Sequence, residues 1–142
     1  MSAPPRPLVA ALAVALAVAA GCGPPPPPRQ GRIHGTVTLD GKPLAKGNVR
    51  FIALDPDGIN VLAPVADGAY DVPEGQGLVK GKYRVEFSLP GPGRRTPNPD
   101  IPGAWLEEPS ETLPARYHRD SQYVLDYDPE NPKPYDAALT SR

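Results

Sequence analysis

Cysteine is almost missing from this chain. A single residue, Cys22, in 142 leaves no partner for an intramolecular disulfide and no second thiolate for a cysteine-based zinc site. Aromatic residues are sparse too, with one Trp, two Phe and six Tyr. Positive charge is not in excess. The formal net charge is −1, and setting aside residues 1–21, whose only charged side chain is Arg6, makes it −2. That near-balance argues against a nucleic-acid partner, which needs clustered positive surface. Past residue 21 the chain also lacks any convincing helical period, and 22 Pro with 14 Gly rule out a helical bundle as the starting assumption. The prolines are clustered, however, and the segments between them are apolar and β-branched, so wholesale disorder is not expected either.

The first 22 residues read MSAPPRPLVAALAVALAVAAGC. A weakly basic start precedes an apolar run over 8–20 and then small residues, which is the three-part layout of an export signal. The run covers 13 residues, short of the ~20 that a membrane-crossing helix needs. Its end, Ala19-Ala20-Gly21-Cys22, is similar to the bacterial lipobox, where the peptide is cut before a cysteine that then carries lipid, although Ala19 stands where a larger aliphatic residue is usual. The expectation is a signal over 1–21 and lipid on Cys22, against the plainer alternative of an ordinary secretory signal and a free thiol. Residues 22–30 follow as anchor and linker. Pro24 to Pro28 form an unbroken proline run, a semi-rigid spacer of roughly 15 Å at about 3.1 Å per residue.

The domain proper is expected over 31–142. Over 31–39, Ile33, Gly35, Val37 and Leu39 alternate with Arg32, His34, Thr36 and Thr38, the period of a strand with one buried face. Asp40-Gly41 is a hairpin dipeptide, and the reading pairs this strand with 48–54. Asp55-Pro56-Asp57-Gly58 is a turn, 59–65 a third strand with Pro64 marking an edge or terminus, and Asp67-Gly68 a turn into 69–72. The clearest strand is 81–89, with Tyr83, Val85, Phe87 and Leu89 inward and Arg84, Glu86 and Ser88 wet. Residues 90–120 break all periodicity and read as a long Pro-rich loop. Two more strands, 122–127 and 135–139, are joined by a solvated hairpin loop, Asp128-Pro129-Glu130-Asn131-Pro132. Seven short strands separated by turns predict an all-β, antiparallel seven-stranded β-sandwich.

The strings GTVTLDGKPLAKGNVRF, DGAYDV and GKYRV, in that order, resemble carboxypeptidase regulatory-like (transthyretin-like) β-sandwich modules, within the broader immunoglobulin-like architecture. With the late LPARYH, the layout is similar to small single-domain lipoproteins of planctomycete bacteria. The resemblance covers roughly 31–139 and rests on turn residues and core positions. It implies a fold, an export route and a non-enzymatic role as a lipid-anchored module on the periplasmic side of a bacterial membrane; Gly23 after the cysteine is compatible with sorting to the outer one. Hydroxyisourate hydrolases of the wider group end in Tyr-Arg-Gly-Ser. This chain reads Leu139-Thr140-Ser141-Arg142 there, so no catalytic residue carries over and no cofactor is implied.

Few side chains invite chemistry. Ser121, His118 and Asp120 make a nucleophile–base–acid set only on paper, because a triad is a spatial arrangement. Asp126, Asp128, Glu130 and Asn131 suggest calcium, but Asn131 and Ala137 stand where a calcium-hand loop needs Gly and Glu, so no metal is expected. The candidate ligand-binding residues are Trp105, Arg94, Arg95, Arg116 and His118. The arginines flank Glu107, Glu108 and Glu111, either as a self-paired solvated surface or as a site for an acidic envelope glycan. Trp105 either pins the loop with Ile101, Leu106 and Leu113, the favoured use, or stands exposed as a stacking platform. The partner is an envelope protein or a glycan, and the rival role is a carbohydrate-binding domain.

Overall fold

Alternating apolar and polar side chains divide the chain into strands, each with one face that must be buried. The computed structural model of the protein describes residue 21 and residues 23–142. The expected signal over 1–21 lies outside the described residues apart from Gly21, and so does Cys22. The strands are β1 (Ile33–Leu39), β2 (Lys42–Pro43), β3 (Lys46–Ala53), β4 (Val61–Ala66), β5 (Ala69–Val72), β6 (Gly81–Ser88), β7 (Pro90–Pro97), β8 (Trp105–Glu111), β9 (Val124–Tyr127) and β10 (Ala137–Leu139). One 3-10 turn, Ala115–Tyr117, is the only helical element among the described residues. Apart from that turn, the described residues are all-β. The main sheet runs β10-β1-β5-β4-β3-β6-β9, with β2 beside β1. The strands on that path are those expected from the alternation.

Their pairing differs at the start. Asp40 (φ 51°) and Gly41 (φ 79°) make the expected left-handed turn, but the strand that returns is only β2, with Thr38 opposite Pro43 and Leu39 opposite Lys42. Leu44 is then drawn into the core, and β3 leaves to pair with β4 and β6. The expected hairpin between 31–39 and 48–54 is therefore replaced by two strands that β5 and β4 separate. A second tight turn, Asp67 (φ 52°) and Gly68 (φ 78°), joins β4 to β5. These two share one ladder position, Ala66 opposite Ala69, and then part. Pro64 lies on the flank that β5 has left, where a missing N–H costs no ladder bond.

The sheet thus folds over at Asp67-Gly68. β10, β1 and β5 contribute Leu139, Ile33, Val37, Tyr70 and Val72 to the core, and β4, β3, β6 and β9 contribute Val61, Ala63, Val49, Phe51, Tyr83, Val85, Phe87 and Tyr127. The Phe51 and Tyr70 rings meet across it with centroids 6.0 Å apart. On the other side the Tyr127 hydroxyl donates to the Arg32 carbonyl at 2.7 Å, which draws β9 toward β1. The antiparallel expectation fails at one pair. β10 lies parallel to β1, Val37 opposite Ala137 and Leu39 opposite Leu139. Residues 128–136 are accordingly no hairpin loop but a crossing from one end of the strand order to the other, held where Tyr135 N–H donates to the His34 carbonyl at 2.9 Å. The Asp128 carboxylate caps this segment's first turn by accepting from Glu130 N–H at 3.0 Å.

Two opposite ends result. The linker enters at one, where Gly31 N–H donates to the Leu78 carbonyl at 2.8 Å, Arg29 pairs with Glu74 at 2.7 Å and Gly81 faces Tyr127. β6 then spans eight residues, about 24 Å of extended chain, to Ser88 at the other end. There β7, β8 and the 112–121 segment are rooted.

Candidate functional site

The expected loop over 90–120 is largely a hairpin. β7 and β8 pair from Pro90–Glu111 at the root to Pro97–Trp105 near the tip, with a bulge between Gly91 and Arg94. At the tip, Ile101-Pro102-Gly103-Ala104 closes with Ala104 N–H donating to the Ile101 carbonyl at 3.1 Å. Pro at the second position and Gly103 at φ 84° are the residues such a turn demands. Neither face of this ribbon packs on the main sheet, and nearly every residue of it is exposed.

Glu111 anchors the root. One carboxylate oxygen accepts from the Leu89, Thr112 and Leu113 N–H groups at 2.8, 3.0 and 3.0 Å, and the other from the Ser88 hydroxyl at 2.6 Å. Partial burial pushes this carboxyl up, but the Ser88 and backbone donors and the field of His118 outweigh it, so it lies below the usual glutamate value. The 3-10 turn follows, with Leu113 and Tyr117 buried beneath it.

Between this segment and the sheet lies a solvent-open groove of about 580 Å³. Its floor is the outward face of β3 and β6, where Asn48, Arg50 and Ile52 alternate against Ser88, Glu86 and Arg84 in register. Leu62 of β4 borders one side, and Glu111, His118 and Arg119 overhang the other. The outward face of β6 is less wet than alternation suggests. The Glu86 side chain is only 12% exposed, because Arg84 donates to it at 2.9 Å and Arg50 lies over it at 3.9 Å. Arg84 Nε is buried and has no acceptor among the described residues.

The expected ligand-binding residues all reach the far end of the domain or the hairpin that springs from it, but they do not converge. Arg94 and Arg95 lie on β7 opposite Glu108 and Glu107, and Arg95 pairs with Glu107 at 3.3 Å between two well-exposed side chains. Arg116 is spent on the chain itself. It donates to the Thr140 hydroxyl at 2.9 Å and to the Arg142 carbonyl, and its guanidinium sits 4.6 Å from the Tyr117 ring centre. Of the five, only His118 lines the groove. Trp105 does not pin anything: it is 62% exposed, with Ile101 at 57% and Leu106 at 41%. Trp105 and Leu106 are consecutive on a two-sided ribbon and so point to opposite faces. Only Leu113 of the expected clip is buried. Arg84 and Glu86 were visible as outward residues of a strand, but Arg50 and the register that sets it beside them were not.

The serine and histidine of 118–121 are engaged elsewhere. Ser121 donates to the Val85 carbonyl, and His118 Nε2 lies 3.1 Å from the Leu113 carbonyl, so no hydrogen bond joins nucleophile to base. Among the described residues no group of three or more His, Cys, Asp or Glu is placed to hold a metal ion. No helix there is long and apolar enough to cross a membrane. Compared with known proteins, the chain matches no family model, no curated protein and no solved structure, and its functional reading rests on the geometry above.

Proposed function

We propose that the protein is a lipid-anchored module of a bacterial envelope, tethered through Cys22 on the periplasmic side of the outer membrane, which binds an envelope partner without catalysing a reaction. One observation carries this reading. The linker meets the domain at one end, and the groove and the hairpin root lie toward the other. Residues 23–29 are exposed throughout, and an extended Pro-rich tether over 23–30 spans about 25 Å. A domain held this way keeps its tethered end toward the bilayer and its hairpin root away from it, with the groove open along the side. Acyl chains at Cys22 contribute about 0.8 kcal/mol per buried methylene, so two or three together hold such a domain stably. The two strand groups folded about Asp67-Gly68 support the transthyretin-like sandwich reading of the GTVTLDGKPLAKGNVRF, DGAYDV and GKYRV strings. The commitment of Ser121 and His118 to backbone carbonyls favours binding over hydrolysis.

A second reading, a carbohydrate-binding domain, is favoured by the exposed Trp105, which can stack on a sugar ring, and by the open groove. The first test is made in a bacterial host expressing the full chain. The protein is expected to partition into detergent, and its new first residue, Cys22, to carry acyl mass. Cys22→Ser is expected to leave an uncut or soluble protein. An unmodified Cys22 in the mature protein overturns the anchor. The same preparation, immobilised and exposed to peptidoglycan, envelope polysaccharides and envelope protein extract, tests the binding role, and retention of none of them overturns it.

A further inference from the structure

We propose that the groove over β3 and β6 binds the carboxylate of an acidic sugar within a uronate-bearing glycan. The proposal rests on the binding-module reading and names the ligand class for it. It begins from an imbalance between guanidinium donors and the acceptors available to them. Glu86 is the only carboxylate on the groove floor, and one of its oxygens already accepts from Arg84 at 2.9 Å. Its other oxygen is 3.9 Å from Arg50, too far for a hydrogen bond. Glu111, at the rim, is already engaged by four donors, three on one oxygen and the Ser88 hydroxyl on the other. Arg119 approaches only Asp120, at 3.7 Å, with both side chains mostly exposed. Among the described residues, the Arg50 and Arg119 guanidinium groups therefore form no hydrogen bond, although each carries a fork of N–H donors. Three arginines against two glutamates leave the lining one positive charge in excess before His118 is counted.

A carboxylate is the acceptor that a guanidinium fork fits in its own plane. The remainder of the lining separates a sugar acid from a bare anion. Ile52 and the 56% exposed Leu62 offer an apolar strip beside the arginines, and the facing pair Asn48 and Ser88 offers polar atoms at the end of the ladder beyond Arg50 and Glu86. A pyranuronate presents the same three chemistries, a carboxylate, an apolar C–H face and hydroxyls. Phosphate or sulfate would use the arginines and leave the other residues idle. The volume lies within the range of small-ligand clefts, and its openness to solvent suits a polymer that passes through.

The test uses the full-length protein in detergent and titrates it with a short oligogalacturonate, a neutral cello-oligosaccharide of equal length, and inorganic phosphate. The expected result is binding of the oligogalacturonate alone, weakening as salt is raised. Arg50→Ala and Arg119→Ala should each lower affinity about tenfold, Arg50→Lys should lower it less, and Lys133→Ala, remote from the groove, should leave it unchanged. Thermal melts of each variant confirm that the fold is kept. Equal binding of the neutral sugar, equal competition by phosphate, or indifference to both arginine substitutions overturns the proposal. If the oligogalacturonate fails to bind while another envelope polymer is retained, the proposal falls and the binding-module reading stands. An unmodified Cys22 removes the anchor and leaves the groove untouched.

Discussion

Removing the Glu111 carboxylate is expected to loosen the hairpin before it unfolds the domain. Glu111→Ala strips the acceptor from three N–H groups and one hydroxyl, at 2.6 to 3.0 Å. Hydrogen bonds to a charged group are worth about 1.5–3 kcal/mol each where water is kept out. Glu111 is exposed as a residue, so water replaces part of what is lost, and the four bonds share two oxygens. A net cost of about 2–3 kcal/mol follows for Ala, and about 1 kcal/mol for Gln, which keeps a carbonyl acceptor. Against a total of about 5–15 kcal/mol, the larger figure is easily read from a urea midpoint. The pH dependence has a definite sign. The folded-state value lies below the ordinary 4.5, so the contribution is fully present above that unfolded-state value and is lost as pH falls through the folded one. Urea melts at neutral pH and at about pH 3 are to be paired with proteolysis of the 90–111 segment, which should be cut faster in the variant. The gap between wild type and Glu111→Gln should close at the lower pH. A Glu111→Ala protein as stable and as protease-resistant as wild type, or a Gln deficit unchanged at low pH, would refute the reasoning.

Two other substitutions address the core and the hairpin tip. Phe87 is fully buried, so Phe87→Ala should cost about 3–5 kcal/mol, and a urea midpoint shifted by less than a third of that would mean the inward face of β6 is misassigned. Trp105→Ala should change stability by no more than about 0.5 kcal/mol. Wild-type tryptophan emission should be long-wavelength and readily quenched by acrylamide, and a blue-shifted, protected signal would contradict the exposed tip.

What was legible in the sequence was whatever a single strand declares about itself. Tyr83, Val85 and Phe87 alternate with Arg84, Glu86 and Ser88, and all three of the first set are buried. Asp40-Gly41 and Asp67-Gly68 announce turns that both take left-handed backbone. The hairpin over 90–111 was illegible for a physical reason: with neither face buried, it carries no apolar period to find. Its one local signal was Ile101-Pro102-Gly103-Ala104, where Pro and Gly stand in the order a tight turn requires. Partnership between strands was likewise hidden. Nothing in 31–54 tells that Leu44 dives into the core and sends β3 to β4 and β6, or that β1 takes β5 and β10 instead. The groove suffered the same blindness, since Arg50 and Glu86 become neighbours only through a register fixed across more than thirty residues of chain.

The parallel pair β1–β10 ties Thr36 to Asp136, 100 residues later in the chain. During synthesis from the N-terminus, β1 therefore waits, one flank bare, until the last strand of the sheet has been made. Contacts this far apart in sequence are slow to form, because the loop must close before they reward it. The same arrangement sets a hazard. A chain cut short before residue 137 leaves the β1 edge open, and an open strand edge is a template for pairing with another molecule.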